Sequence, residues 1–442
     1  MQKKTYTILV LSSLAILIAI FIFAKAPKKN IPTFKNRSGS IALSGEWLNT
    51  KKAIEGLLAT IEKNPKDFKS MLSLSQAYIQ EGRITGDHGY YDKAAIELLD
   101  IILENEPQNF EAICFKSMVL LSQHHFAEGL VLAKKGLAIN PNSAFIYGIL
   151  CDANLELGNY EEAIKAADKM TSIRPDIRSY ARVSYLREIH GDYPGAIMAM
   201  KLAAEAGYPG LEETEWTRCI LGHLYETTFS LDSAAYEYNM ALNNRPQYAF
   251  AYAGLGRIEK EKGNYKEAIL LFEKAKAQMM DYSFSDELTD LYFLNNEKDK
   301  AEKNSTLVIE MLGPNIGDEN ETSHGHYADK ELAYAYLKIN DTKKAFEHAT
   351  IEYERRPKNI DVAEMMAWVN YKQQNYSEAN KLIDVALRTK SNNPVLLCRA
   401  GLIKIHASKG SATAGKALIK KGLEINPYLE INLRKEAAAF IK

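Results

Sequence analysis

The stretch that decides the fold is AFAYAGLGRIEKEKGNYKEAILLFEKAKAQMM, residues 249–280 of a 442-residue chain. Tyr252, Leu255 and Gly256 lie three and four positions apart, as they would on one face of a helix. Gly263 and Asn264 break this period and indicate a turn, because both residue types tolerate a left-handed backbone. A second helical period follows, formed by Ala268, Ile269, Phe272 and Ala275. The stretch predicts two short antiparallel helices, which need a copy of themselves alongside to bury both faces.

The rest of the chain supplies such copies at a regular interval. Four prolines that close successive units recur at a constant spacing: Pro107, Pro141, Pro175 and Pro209. The pattern in residues 249–280 resembles the tetratricopeptide repeat, a helix-turn-helix unit whose length of about 34 residues matches that spacing. The resemblance implies an all-α, right-handed superhelical solenoid of about ten repeats over residues 45–442, ending in a capping helix. The whole chain resembles bacterial, membrane-anchored proteins of this family.

The N-terminal segment differs from the repeats. Two lysines precede an apolar run at residues 7–24, which predicts a transmembrane helix that anchors the chain (residues 1–24), followed by a flexible linker (residues 25–44). A cleaved signal peptide is the alternative, although Pro27 directly after Ala24-Lys25-Ala26 disfavours cleavage. The short basic N-terminus favours export of the repeats to the periplasmic side, whereas the basic residues after the apolar run argue for the opposite orientation.

Composition and motifs narrow the classes of function. Hydrophobic residues make up 46% of the chain and charged residues 25%, as in ordinary globular proteins. The formal net charge of -1 provides no bulk attraction for nucleic acid. The sequence has no GxxxxGK[ST], GxSxG or HExxH motif, so we expect neither an enzyme nor a cofactor. The cysteines are predicted to be single buried thiols, with pairing across neighbouring units left open: Cys114, Cys151, Cys219 and Cys398.

Two histidine groups and two polar loops also stand out. The neighbours His124 and His125 point in different directions on a helix and make a poor ligand pair, and His324-Gly325-His326 lies in the acidic loop 313–326. Because structural zinc sites have four well-spaced Cys or His ligands, we predict no metal site. The loop at residues 83–93 carries Tyr90 and Tyr91, which either contact a partner or cover the tip of the hairpin.

The resemblance also implies that the first helix of each unit lines the concave side of the solenoid. In the stretch at 249–280 this places Phe250, Ala253, Arg257 and Lys260 on that side. Aromatic and arginine side chains are common anchors of interfaces, although each aromatic can instead fill a gap between adjacent helices. The predicted groove residues in all units are Arg182, Tyr185, Trp216, His223, Phe250, Arg257, Tyr327, Tyr334 and Trp368. Some members of the family bind a C-terminal carboxylate with a clamp of charged residues on neighbouring first helices. We do not predict this clamp here, because the candidate cations are scattered along the sequence.

These observations predict a non-catalytic scaffold or adaptor, tethered to the membrane, that binds a protein or peptide in the concave groove. A cell-envelope biogenesis factor is the alternative within the same class. A metal or small-ligand sensor that uses loop 313–326 is the alternative from a different class. We expect no nucleic-acid partner.

Overall fold

The computed structural model describes residues 31–313 and 326–441. The chain divides into two compact units, residues 1–35 and residues 36–442. Of the first unit only residues 31–35 are described, and these form no helix or strand. The predicted anchor at residues 1–24 therefore lies outside the described residues. Among the described helices, none has the length and apolar character needed to cross a membrane.

The described part of the second unit is built from α-helices with three short 3-10 segments, and it contains no strand. The α-helices are α1 (Gly45–Lys63), α2 (Phe68–Thr85), α3 (His88–Asn105), α4 (Phe110–Ser122), α5 (Phe126–Ile139), α6 (Ala144–Glu156), α7 (Tyr160–Ile173), α8 (Ile177–Ile189), α9 (Tyr193–Glu205), α10 (Glu212–Thr227), α11 (Leu231–Asn244), α12 (Ala249–Glu261), α13 (Tyr265–Lys276), α14 (Tyr282–Leu294), α15 (Lys298–Leu312), α16 (Asp329–Lys338), α17 (Thr342–Arg355), α18 (Ile360–Lys372), α19 (Tyr376–Ala386), α20 (Pro394–Ala407), α21 (Ala412–Ile425) and α22 (Ile431–Ala438).

Helices α2 to α21 pair in sequence order as ten helical hairpins, which we number repeats 1 to 10. Each hairpin packs its two helices against each other, and its second helix packs against the first helix of the next repeat. Helix α1 precedes repeat 1, and α22 packs against repeat 10 as the predicted end cap. The prediction of an all-α array of about ten helix-turn-helix repeats is thereby confirmed for the described residues.

Small residues let the two helices of the repeat 6 hairpin approach closely. A Cβ atom on Gly256 would lie 2.8 Å from the ring of Phe272 and 3.5 Å from the carbonyl oxygen of Ala268. Gly254 faces Tyr238 of repeat 5, where a Cβ atom would lie 2.4 Å from the ring. One expectation needs correction, because Ala253 is 3% exposed and belongs to the helix-packing surface rather than to an open groove.

We expect Gly254→Ala to destabilise the array by about 1–3 kcal/mol, because the added methyl group overlaps the buried ring of Tyr238. The matched control is Gly56→Ala in the exposed face of α1, where a Cβ atom meets nothing within 4 Å. That control should stabilise the protein by about 0.4–1 kcal/mol, because alanine restricts the unfolded chain. Urea unfolding of both variants measures the difference, and equal effects of the two substitutions would contradict the packing described here.

The structure also corrects the extent of the predicted linker, because its last part, residues 36–44, packs against the repeats. Residues Gly39–Leu43 form a 3-10 helix. The guanidinium of Arg37 is buried and donates two hydrogen bonds to the carboxylate of Glu81 in repeat 1, at 2.9 Å and 2.6 Å. A buried arginine paired in this way fixes the start of the array.

The array coils back on itself, and this feature was not predicted from the sequence. The turn inside each of repeats 1 to 5 contacts the loop that follows the repeat five places later. The hydrogen bonds across these inter-turn contacts run from Met280 N to Thr85 O (3.1 Å), from Tyr327 N to Gln123 O (3.1 Å), from Asn359 Nδ2 to Glu156 O (2.9 Å), from Asn392 Nδ2 to Gly191 O (2.8 Å) and from Asn426 Nδ2 to Glu226 O (3.2 Å). One turn of the coil therefore takes between five and six repeats, and successive turns touch.

Candidate partner-binding groove

Successive first helices are joined by ion pairs along one face, which we call the first-helix face. Five cations on α8, α12, α16 and α20 reach carboxylates on neighbouring first helices. The pairs are Arg182 with Asp152, Arg257 with Glu226, Lys260 with Glu287, Lys338 with Asp286 and Asp290, and Arg399 with Glu364. Their nitrogen-to-oxygen distances lie within hydrogen-bonding range. This ladder fixes the relative positions of neighbouring first helices at five steps between repeat 3 and repeat 10.

At the centre of the ladder, Arg257 bridges repeats 5 and 6. Its Nε donates to Glu226 at 2.9 Å, and its Nη2 donates to the hydroxyl of Tyr238 at 3.1 Å. His223 Nδ1 lies 3.1 Å from the same carboxylate. Burial alone would raise the pKa of Glu226, but the charges of Arg257 and His223 hold it below its ordinary value. The hydrogen bonds of Arg257 are therefore made within the chain, whereas the His223 ring stays largely exposed.

In repeat 4, Arg182 and Tyr185 lie on α8 as predicted. The Nε of Arg182 donates to Asp152 of repeat 3 at 2.8 Å, so its charge is paired. Tyr185 is 36% exposed. The negative charge of Asp361, followed by burial, raises the pKa of Tyr185 well above its ordinary value. Asp361 belongs to repeat 9, which lies on the next turn of the coil.

The predicted anchors Tyr334 and Trp368 are held by neighbouring side chains. Trp368 is 7% exposed and stacks on Tyr371 with ring centroids 4.9 Å apart. The guanidinium of Arg399 lies 5.1 Å from the Trp368 ring and donates to the Tyr334 hydroxyl at 3.1 Å. These residues join repeats 8, 9 and 10, and the faces of their rings pack against other residues of the chain.

Phe250 and Trp216, which were predicted as interface anchors, fill gaps between adjacent helices. Phe250 lies between Tyr248 and Phe284, with ring centroids 5.7 Å and 5.8 Å away. Trp216 is half-buried against the apolar cluster that contains Tyr238. Both side chains join adjacent repeats, so their principal role in the structure is packing.

Tyr327 does not lie with the other predicted groove residues, and this expectation is corrected. Its amide hydrogen bonds to Gln123 O, and its ring centroid lies 4.0 Å from that of His125 in repeat 2. The guanidinium of Arg355 lies 3.8 Å from the centre of the same ring. Tyr327 therefore belongs to the inter-turn contact between repeats 2 and 8. Tyr327 and His125 are distant in the sequence, and repeat periodicity alone does not reveal that they meet.

The sequence reasoning missed the carboxylates of this face. Burial, followed by the charge of nearby Glu226, raises the pKa of Glu261 to about 7, and one of its carboxylate oxygens has no hydrogen-bond partner among the described residues. Burial raises the pKa of Glu188, and the charge of Asp361 adds to that effect. Glu188 and Glu261 lie at the C-terminal ends of first helices. The groove prediction was based mainly on aromatic and arginine side chains and therefore did not include these glutamates.

The cysteine prediction is confirmed, because Cys114, Cys151, Cys219 and Cys398 are all buried free thiols. Burial raises the pKa of each. Within residues 31–313 and 326–441, no group of three or more His, Cys, Asp or Glu side chains is arranged to hold a metal ion. His324 and most of loop 313–326 lie outside these ranges.

No family model matches the chain. Among curated proteins, a CTR9 homolog from Arabidopsis thaliana is 24% identical over 241 residues, which is 45% of this chain and 22% of that protein. The match therefore spans about a fifth of the length of that relative. Among solved structures, the human IFIT1 dimer with PPP-AAAA is 15% identical over 78% of this chain and 80% of that chain, with a TM-score of 0.48. TTC0263, a thermophilic TPR protein from Thermus thermophilus, is 20% identical over 46% of this chain and 99% of that chain, with a TM-score of 0.38. PilW, a type IV pilus biogenesis factor, is 13% identical over 45% of this chain and 92% of that chain, with a TM-score of 0.38.

The chain's own architecture defines its class. In residues 31–313 and 326–441, ten consecutive helical hairpins, with small residues at close helix contacts and closing prolines at a constant spacing, form a solenoid with the tetratricopeptide-repeat fold.

Proposed function

We propose that this chain is a non-catalytic scaffold that binds a protein or peptide on the first-helix face of its solenoid. The observation that supports this most is the convergence of polar, charged and aromatic side chains from repeats 3 to 10 along that one face. The ion-pair ladder holds these side chains in place before a partner arrives, which lowers the entropic cost of binding. Tyr185 and His223 are the predicted groove residues that present the most surface to a partner.

The charges of this face favour a partner with basic groups. The five cations of the ladder already have carboxylate partners, while Asp361, whose negative charge acts on Tyr185, is a further acid. Nucleic-acid binding depends on unpaired cations that neutralise phosphates. We therefore propose that nucleic acid is not the partner, although the human IFIT1 structure contains PPP-AAAA.

We further propose that residues 1–24 anchor the array in a bacterial membrane, with the repeats on the exported side. The apolar run at residues 7–24 and the two lysines before it support this proposal. A tethered array would search for partners only near the membrane surface, which suits a scaffold or a cell-envelope biogenesis factor.

The test is a crosslinking pull-down from membranes with the Tyr185→Ala/His223→Ala variant. The matched control is Tyr236→Ala/Tyr208→Ala, which removes two tyrosines that are 61% and 77% exposed and lie outside the first helices. We expect partners recovered with the wild type and with the control to fall at least about tenfold with the groove variant, as for loss of an interface anchor. Both variants must keep wild-type helical content and melting. Equal recovery by the two variants would overturn the groove assignment, and specific binding of PPP-AAAA would overturn the exclusion of nucleic acid.

A further inference from the structure

Two histidine motifs that are distant in the sequence meet at one inter-turn contact. The rings of His124 in repeat 2 and His326, just before repeat 8, lie with centroids 4.4 Å apart. His124 Nδ1 lies 2.7 Å from the carbonyl oxygen of Tyr327, and the Tyr327 amide donates to Gln123 O at 3.1 Å. His125 also lies against the Tyr327 ring, so aromatic and imidazole rings join the two coil turns beside these hydrogen bonds.

Charged groups from four helices face this pair of rings. Glu331 and Lys330 of α16 act on His124, and Glu331 also acts on His326. The remaining groups are His88 and Asp92 of α3 near His326, Glu128 of α5 at 3.4 Å from His125, Arg355 of α17 over Tyr327, and Arg356 over Phe126. The carboxylate of Glu331 is the principal acid that favours protonated imidazole, and Lys330 and the two arginines oppose it.

Burial has the larger effect on both rings. It lowers the pKa of His124 to about 4, and the neighbouring His326 acts in the same direction. Burial and the charge of His88 also lower the pKa of His326. Once the turns part, each imidazole would regain a pKa of about 6.5. Because the parted state then binds more protons than the closed one, the closed contact loses stability as pH falls from about 6.5 towards 4.

We propose that the His124–His326 contact is an acid-sensitive latch, which holds the turns of repeats 2 and 8 together while both rings are neutral and releases them when the rings become charged. Two imidazolium rings at this separation would repel each other in a partly buried site. Release would open a gap between coil turns beside the first-helix face. The latch does not depend on the proposed partner-binding function, because it is a property of the inter-turn contact itself.

The test is hydrogen–deuterium exchange on the full chain at pH 7.0 and pH 5.0, read from peptides that contain the Tyr327 amide and corrected for intrinsic exchange. From the pKa change of His124 alone, we expect protection of this amide to fall by about 20-fold between the two pH values. The variant His124→Asn should retain most of that protection at pH 5.0, whereas His326→Asn, which removes the neighbouring charge but keeps the buried His124, should lose less protection than the wild type. Asparagine suits position 124, where the backbone φ is 64°.

A second contact provides the internal control. Repeats 3 and 9 are joined by Arg356 and Glu156, and burial raises the pKa of that carboxyl, so the closed contact binds the proton more tightly and acid should not weaken it. Peptides covering residues 358–362 report on it. If wild-type protection of Tyr327 is unchanged at pH 5.0, or if His124→Asn loses it as the wild type does, the latch is overturned. A loss confined to residues 358–362 would also overturn it, because the acid-sensitive contact would then lie elsewhere.

Discussion

Replacing Arg37 with alanine is expected to destabilise the array by about 3–5 kcal/mol, because it leaves the Glu81 carboxylate buried without its partner. The two side chains are almost fully buried, and two hydrogen bonds join them. Arg37 also pairs with Glu46 at 3.1 Å and lies over the ring of Trp47. Urea unfolding followed by circular dichroism measures the loss.

Two variants establish that the effect comes from the unpaired charge. Arg178→Ala removes an exposed pair with Glu213 at 2.8 Å and should cost less than about 1 kcal/mol. The double variant Arg37→Leu/Glu81→Leu removes both charges together and should recover most of the stability lost with Arg37→Ala. If Arg37→Ala unfolds at the same urea concentration as Arg178→Ala, the segment before α1 is not fixed to repeat 1 as described.

Substituting Gly158 with alanine is expected to disrupt the inter-turn contact of repeat 3. Its backbone φ is +74°, and an alanine there costs about 1–2 kcal/mol on its own. The added Cβ would lie 2.2 Å from the carbonyl oxygen of Lys358 and 2.8 Å from the amide nitrogen of Asn359. Because both atoms are backbone, relief requires the two coil turns to move apart, with about 1–3 kcal/mol of further cost.

Gly263 is the matched control for this substitution. It occupies the same turn in repeat 6 with a φ of +82°, but a Cβ atom there meets nothing within 4 Å. Gly263→Ala should therefore show only the conformational cost, without faster amide exchange at residues 358–362. Equal destabilisation by Gly158→Ala and Gly263→Ala, with unchanged exchange at those residues in both, would contradict contact between the turns.

The comparison of these two glycines shows which features the sequence can reveal. A left-handed residue after a short helix predicts a hairpin turn, and this holds at Gly158 and Gly263 alike. Helical periods likewise predicted the repeats, because their cause is local packing between neighbouring helices. Contact with Lys358 depends on the pitch of the whole coil, which accumulates from small rotations at every repeat. For that reason the contacts between successive coil turns could not be predicted from any single repeat.

The candidate groove was predictable only in part for a related reason. Helical spacing correctly placed Tyr185 and Arg257 on first helices, but spacing does not determine whether a side chain is free. Arg257 donates hydrogen bonds to Glu226 and Tyr238, and the Trp368 ring contacts Tyr371 and Arg399. Tyr327 was expected to line the groove, yet it lies in the loop before α16 and contacts His125 of the other coil turn.

The central structural claim is that successive turns of this solenoid touch, and proximity crosslinking tests it most directly. The rings of Phe229 in repeat 5 and Tyr428 before α22 are stacked with centroids 5.0 Å apart, and both are partly exposed. A Phe229→Cys/Tyr428→Cys variant should be joined within the monomer by a short bismaleimide, while the buried native thiols react slowly. The control pair Phe229→Cys/Tyr208→Cys is separated by the length of α10, about 24 Å at 1.5 Å per residue. Efficient linkage of residues 229 and 428 alone is the predicted result, and linkage no greater than in the control would contradict the coiled array described here.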